Sequence, residues 1–400
     1  MRPRHLALFI RSLFGHGGGG AERSMVNLAT ALAAQGHRVD LLLGRAEGPY
    51  LAAVPDDVRC IDLGARTPLT ALPLLLRHPR LLRGLAPIHY GLSAQWSLGA
   101  LPRLVRYLRE ERPEALLSAL NYPNLTAILA REIAAVPTRL VVSERNTLSQ
   151  TASRLTRRRR RALPELVSVY YPLADAIAAV SQGVAEDLAR ILDVPVETIA
   201  VTYSPVVSPE LAKRAAEPVC HPWFTDAGPP VFLGAGKLHP QKDFPTLMRA
   251  FARVRAEREV RLVILGEGGE RRALEALAKK LGLEKDVDLP GFVENPFAYM
   301  ARASVFVLSS TFEGLPGVLI QAMACGCPVV STDCPSGPSE ILLGGEYGPL
   351  APVSNPEALA EAMLTVLDSP VAADRLRERA NFFSFERSSQ RYLDVLLGAA

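Results

Sequence analysis

The sequence predicts an α/β protein of two doubly wound domains, and three observations carry that expectation. Its 400 residues exceed what one hydrophobic core usually supports. Short apolar runs alternate with longer helical patterns through both halves, as in parallel sheets joined by crossover helices. Prolines at 205, 209, 218, 222, 229 and 230 crowd one segment, which reads as a linker. The expected organisation is residues 1–205 as a first domain, 206–230 as the linker, 231–384 as a second domain, and 385–400 as a last helix crossing back to the first.

In the first half the expected strands are His5–Ile10, Val39–Leu43, Val58–Asp62, Ala115–Ser118, Arg139–Ser143, Ala176–Ala179 and Ile199–Thr202. In the second they are Val231–Ala235, Arg261–Gly266, Val287–Leu289, Val305–Ser309, Pro328–Thr332 and Gly348–Leu350. Each is a short, apolar run rich in β-favouring residues. Between them, 3.6-residue periodicity marks helices at Glu22–Gln35, Gln182–Leu192, Phe244–Glu257, Arg271–Leu281 and Gly317–Cys325. Two such halves leave a cleft between them, and open α/β sheets bind ligands at the carboxyl ends of their strands.

Bulk properties narrow the function. Residues 1–205 hold 25 Arg, no Lys and 17 acids, a net +8, whereas the remainder nets −4. The basic half suits anionic head groups or phosphorylated acceptors, although arginines that simply solubilise helix faces would look the same. Five scattered cysteines form no zinc spacing and read as buried thiols of a reducing compartment. Arg11 interrupts the first apolar run, and a glycine loop follows it, so the N-terminus reads as a buried strand rather than a signal peptide. No apolar run reaches the ~18 residues of a membrane span. The expected location is cytoplasmic, peripheral to the inner face of the plasma membrane at most.

Two stretches of the second half carry chemistry. Gly234-Ala235-Gly236-Lys237-Leu238-His239-Pro240-Gln241-Lys242-Asp243 leaves a strand and enters a helix. Lys237 and Lys242 share this loop, and two ammonium groups at a strand's carboxyl end suit a diphosphate. A pair of solvated surface lysines is the plain alternative. In Ser309–Gln321 a strand ends, a Gly/Pro turn follows and an apolar helix starts, so backbone N–H groups over Leu315, Pro316, Gly317 and Val318 offer an anion site. Glu313 precedes that site and is expected to face sugar hydroxyls. Gln321 lies about one turn inside the helix, with its amide toward the same cleft.

These stretches resemble the retaining glycosyltransferases of family 4, of the bacterial polysaccharide and lipid-linked glycan type. GKLHPQKD, RLVILGEGGE, LPGFVEN, EGLPGVLIQAMACGCPVVST, PSGPSEIL and YGPLAPVSNPEALAEAM match in order, and so does GGGGAERSMVNLATALAAQGHRVDLLL in the first half. The resemblance implies the GT-B architecture, two Rossmann-like domains facing across a deep cleft. It implies that Lys237 and Lys242 hold the donor diphosphate, Gly20 approaches the donor through its backbone, Val293 meets the nucleobase and Glu313 contacts the sugar. Gln321 stands where the family carries a second glutamate for the ribose hydroxyls. That exchange replaces a charged acceptor by a neutral one and weakens donor binding modestly. No cofactor is implied, and no metal: Asp286-Val287-Asp288 is DxD-like but leads into a strand at the wrong end.

On the acceptor side, Glu144, Arg145 and Asn146 follow a first-half strand and are candidate acceptor contacts. Leu69–Leu85 is apolar, basic and free of acids, and Arg157–Arg161 is a run of five arginines. Both suit an anionic membrane surface, with a solvated face as the alternative. No aromatic interleaving accompanies the arginines, so nucleic acid is not expected as a partner. The expected function is transfer of a hexose or N-acetylhexosamine from a nucleoside-diphosphate sugar, UDP-linked for preference, to a hydroxyl of a lipid-linked or polysaccharide acceptor with retention. The alternative, motivated by Gln321, is a non-catalytic homologue acting as a scaffold or glycan-binding partner.

Overall fold

The structure is a computed structural model and describes residues 2–14, 19–82, 96–153, 157–224 and 228–399. Residues 83–85 of the expected Leu69–Leu85 segment lie outside the described residues. The described chain forms two compact units. One runs to Pro205 and includes Glu386–Ala400, and the other is Val206–Phe385.

The first unit holds a seven-stranded sheet built from β1 (His5–Ile10), β2 (Arg38–Leu43), β3 (Val58–Asp62), β4 (Ala115–Ala119), β5 (Arg139–Glu144), β6 (Ala176–Ala179) and β7 (Ile199–Val201). Its order is β3-β2-β1-β4-β5-β6-β7, and every pairing is parallel. The apolar runs of β1 and β4 are buried because helices cover both faces of a parallel sheet. Leu8, Leu41, Leu117 and Val141 from neighbouring strands meet Met25 and Leu28 of the first helix in one core. Tyr392, Leu393 and Leu396 of the last helix, Phe385–Leu397, join that core. Arg139 Nε also donates to Val395 O at 3.2 Å.

The second unit holds β8 (Val231–Ala235), β9 (Arg261–Leu265), β10 (Val287–Gly291), β11 (Val305–Leu308), β12 (Val329–Thr332) and β13 (Leu350–Ala351), in the order β10-β9-β8-β11-β12-β13 and again all parallel. Strand order reverses between β8 and β11. The loops after those two strands therefore diverge and frame a crevice at their carboxyl ends. Helix Phe244–Glu257 starts at Asp243, whose φ of 44° turns the chain and whose carboxylate accepts from Thr246 N at 3.4 Å.

The segment read as a linker packs as part of the second unit. Val206 N and Val207 N donate to Phe383 O at 3.0 and 3.1 Å, and buried His221 sits edge-on to Trp223, Phe224 and Tyr299. Its prolines break helix and strand periodicity without freeing the chain, because apolar and aromatic side chains between them still find a surface to cover.

Candidate donor site

The chemistry of the second unit gathers at the strand-order reversal. The loop after β8 supplies Lys237 and Lys242, and the loop after β11 supplies Glu313. Gly266 fixes the first loop's course: it holds φ 135°, and a Cβ there would lie 1.9 Å from Gly236 O. Lys242 Nζ donates to Glu313 Oε1 at 2.5 Å, and Ser310 Oγ donates to the same oxygen at 2.7 Å. Both side chains are largely buried. Charge assistance and low local dielectric strengthen this pair beyond a surface salt bridge. No protein donor reaches Glu313 Oε2 among the described residues, so that oxygen is available to a hydroxyl.

The framework around the pair is hydrogen-bonded throughout. Ser309 Oγ donates to Lys242 O at 2.7 Å, Gln241 Nε2 donates to Phe312 O at 2.9 Å, and Thr332 Oγ1 donates to Ser310 O at 2.6 Å. These bonds tie the two loops into one rigid piece. Buried Cys334 lies close by, and burial, reinforced by the Glu313 carboxylate, pushes its thiol up to about 12. Burial likewise pushes the Cys325 thiol up to about 12. Cys325, Cys327 and Cys334 are buried as expected, whereas Cys60 and Cys220 are exposed, which corrects the reading of all five as buried.

Helix Gly317–Ala324 begins just beyond Glu313. Pro316 has no N–H, so the expected anion site over Leu315–Val318 reduces to three groups, those of Leu315, Gly317 and Val318, which the backbone leaves unused. The turn is braced from behind: Ser336 Oγ donates to Gly314 O at 2.9 Å, and Gly337, at φ 92°, packs so closely that a Cβ would lie 2.5 Å from Pro316 Cδ. Gln321 is buried on the same helix, and its side-chain amide has no hydrogen-bond partner among the described residues. Lys237 is exposed and outside any ion pair there. Val293, half-buried, follows exposed Phe292 after β10. Asp286 pairs with Arg255, and Asp288 with His221, so both carboxylates of the DxD-like string already have cationic or donor partners.

The sequence placed Glu313 before the anion site without a partner, and the structure shows it compensated by Lys242. The ion pair is neutral overall, so the net positive charge comes from Lys237 and the helix N-terminus. Lys242 keeps two further N–H donors. Ser310, Ser336 and Thr332 were not singled out, because isolated hydroxyl residues carry no spacing signal.

In the first unit Gly20 opens helix Gly20–Ala34, two residues before the expected start. It is exposed, and a Cβ there would meet nothing within 4 Å. The candidate acceptor contacts are placed differently from one another. Glu144 is buried at the end of β5, where Tyr171 Oη and Asn124 Nδ2 donate to its Oε1. Burial pushes its carboxyl up to about 7, against those donors and the nearby Arg145 charge. Arg145 is also buried. It donates to Ser24 Oγ at 3.0 Å and Ser204 Oγ at 3.2 Å and lies over the Tyr392 ring. Neither side chain is presented to solvent, which corrects the reading of both as candidate acceptor contacts: Asn124 and Tyr171 enclose the one, and Ser24, Ser204 and Tyr392 the other. Asn146 is half-buried and caps the next turn through Thr147 N at 3.0 Å. Leu120, between β4 and helix Asn121–Ala134, is held at φ 77° and ψ 147°, a conformation that costs about 1–3 kcal/mol for a non-glycine residue. His5, Asp40 and Glu111 form the one cluster with metal-ligand spacing among the described residues, but Asp40 already accepts from Arg59, Tyr107 and His5.

The likeness to known proteins agrees with this geometry. Residues 18–208 match the family model for Glycosyltransferase Family 4, and residues 229–369 match that for Glycosyl transferases group 1. The chain is 33% identical over 296 residues to the N-acetylgalactosamine-N,N'-diacetylbacillosaminyl-diphospho-undecaprenol 4-alpha-N-acetylgalactosaminyltransferase of Campylobacter jejuni, 70% of this chain and 75% of that one. It is 32% identical over 184 residues to the lipopolysaccharide 1,6-galactosyltransferase of Salmonella typhimurium, 44% and 48% of the two chains. In fold it is similar to Anabaena HepE, solved in complex with UDP-glucose, with a TM-score of 0.77 at 19% identity over 98% of this chain and 100% of that one. Two Rossmann-like units with parallel sheets of seven and six strands define a GT-B protein. The chain belongs to the family 4 glycosyltransferases.

Proposed function

We propose that this glycosyltransferase moves a hexose or N-acetylhexosamine from a UDP-linked sugar to a hydroxyl of a lipid-linked or polysaccharide acceptor, with retention and without a metal ion. The observation that carries this reading is the Lys242–Glu313 pair beside the N-terminus of helix Gly317–Ala324. Cleaving the anomeric C–O bond builds negative charge on the β-phosphate. Lys237, the free N–H donors of Lys242 and the N–H groups of Leu315, Gly317 and Val318 meet that charge. One such preorganised donor typically contributes on the order of 10²–10³ in rate. Glu313 Oε2 accepts from sugar hydroxyls, Val293 lies toward the base, Gly20 approaches the donor through its backbone and Gln321 faces the ribose.

HepE was solved with UDP-glucose, and the Campylobacter relative is named for a diphospho-undecaprenol acceptor, which supports both ends of the reading. No described helix is long and apolar enough to cross a membrane. The lipid-linked acceptor is met at an anionic membrane surface through Leu69–Leu85 and Arg157–Arg161, from the cytoplasmic side. Asn146 is the acceptor contact that keeps partial exposure.

The test is incubation of the purified protein with a panel of nucleoside-diphosphate sugars and a lipid-diphosphate-linked acceptor, with products followed by mass spectrometry. A glycosylated acceptor with release of UDP is the expected result. Neutral Gln321 favours a second reading, a scaffold without turnover. Donor binding with neither transfer nor hydrolysis would establish that reading instead.

A further inference from the structure

Two serines follow the last residue of β11, and each hydroxyl meets one member of the Lys242–Glu313 pair. Ser309 Oγ donates to the main-chain oxygen of Lys242 at 2.7 Å, and Ser310 Oγ donates to Glu313 Oε1 at 2.7 Å. Successive residues of an extended chain point to opposite sides, so neighbouring hydroxyls reach two different loops. Both serines are buried, where a hydroxyl without a partner costs free energy. A hydroxyl carries one hydrogen, and an ionised carboxylate only accepts, so the Ser310 hydrogen is directed at Glu313.

The sheet holds Ser310 from its other side. Thr332, the last residue of β12, is fully buried and donates through Oγ1 to Ser310 O at 2.6 Å. β11 and β12 are paired up to Leu308 and Ser331, just before these residues. Thr311 N donates to Gln241 O at 2.8 Å, which fastens the next residue to the loop after β8. Ser310 is therefore a donor on a rigid mount.

Lys242 is a different kind of partner. Its ammonium is a point charge on a flexible stem, with three donors that rotate. The last torsion of a glutamate is broad and two-fold, so a carboxylate gripped by an ammonium alone can exchange its oxygens. Ser310 removes that freedom. With Oε1 held between Lys242 Nζ and Ser310 Oγ, Oε2 is the oxygen left for a hydroxyl. An entering diphosphate also attracts the ammonium, and Ser310 keeps Oε1 partnered when it does.

We propose that Ser310 is a positioning residue for glycosyl transfer: it orients the Glu313 carboxylate from the strand side, so that Oε2 faces the donor's sugar while Lys242 serves the diphosphate. The inference rests on the proposed donor site and adds to it a residue that acts through Glu313. If Ser310 did no more than satisfy a buried carboxylate, its loss would appear in stability and not in the recognition of sugar.

The experiment compares wild type with Ser310→Ala, Ser310→Cys and Ser310→Thr in the full chain. Ala removes the donor, Cys keeps the volume with only a weak donor, and Thr keeps the hydroxyl. Calorimetry measures affinity for UDP and for whichever of UDP-glucose, UDP-galactose and UDP-N-acetylgalactosamine wild type binds best, together with the monodeoxy analogues of that sugar. Thermal melting is followed alongside. The bond from Thr332 goes to the main chain and survives in every variant, so each should fold. Ser310→Ala and Ser310→Cys are expected to bind the UDP-sugar about 10-fold more weakly, the weight of one hydrogen bond to a charged group, with UDP affinity within about twofold of wild type. Ser310→Thr is expected to recover most of the loss. The analogue lacking the hydroxyl that Glu313 accepts is expected to bind wild type and Ser310→Ala alike, because the contact that Ser310 orients is already gone. A folded Ser310→Ala variant with wild-type affinity for the UDP-sugar would overturn the role of Ser310 and leave the donor site standing. Equal losses for UDP and UDP-sugar would overturn it too, since they mark a general disturbance. Should Ser310→Ala fail to fold, Ser310→Cys carries the same comparison. Wild type that binds neither UDP nor any of the three donors would remove the donor reading itself, and the role of Ser310 with it.

Discussion

Replacing Glu144 by Gln isolates a buried charge. In the native protein the carboxyl is enclosed, with Tyr171 Oη and Asn124 Nδ2 as donors and its pKa at about 7 against an ordinary 4.5. Between those values the native state holds a proton that the unfolded chain has released. Stability therefore falls as pH rises through this window and levels off above about 7. The shift corresponds to about 3 kcal/mol. The amide of Glu144→Gln keeps an oxygen for both donors and does not titrate. Urea titrations of the two proteins across pH 4.5–8.5, followed by circular dichroism, measure the difference directly. Wild type should lose about 3 kcal/mol relative to the variant as pH rises, with the change complete near pH 7.5. A stability difference that stays constant with pH would refute the burial argument and return Glu144 to the surface as a candidate acceptor contact.

Other outcomes follow from the same structure. Gln321→Glu restores a charged acceptor and should tighten UDP binding about fivefold by calorimetry, the margin between neutral and charged hydrogen bonds; unchanged or weaker affinity would place Gln321 away from the ribose. Gly337→Ala forces a Cβ against Pro316 at positive φ, so it should cost roughly 1–3 kcal/mol and raise KM for the donor by moving the turn at Leu315–Val318. Arg145→Lys gives up the two hydrogen bonds from Nη1 to Ser24 and Ser204 and should cost roughly 2–3 kcal/mol in urea denaturation. A loss of transfer without that destabilisation would instead mark Arg145 as an acceptor contact.

The fold was legible because parallel strands buried on both faces announce themselves as apolar runs. All thirteen expected strands occur, most with ends within a residue or two. Pro328 drops out of β12, since proline offers no N–H to the ladder. The meeting of the loops after β8 and β11 was legible too, because Gly, Lys and Glu cluster at these two strand ends. Side-chain pairing was not. Nothing in the spacing of residues 242 and 313 states that their charges meet, because contact depends on which two strands flank the reversal. Glu144 and Arg145 misled for a related reason. A charged pair after a strand looks solvent-facing unless its buried partners, Asn124, Tyr171, Ser24 and Ser204, are known, and these come from distant parts of the chain.

The Lys242–Glu313 pair is the centre of the functional reading, and Lys242→Ala tests it most directly. Steady-state transfer should be compared for wild type and variant on the preferred donor, with circular dichroism confirming that both are folded. Removing the ammonium withdraws charge from the departing diphosphate and leaves a buried carboxylate with only Ser310 as partner, so kcat should fall by at least ~10²-fold. A folded Lys242→Ala variant that transfers sugar at a near-normal rate would contradict the donor site described here.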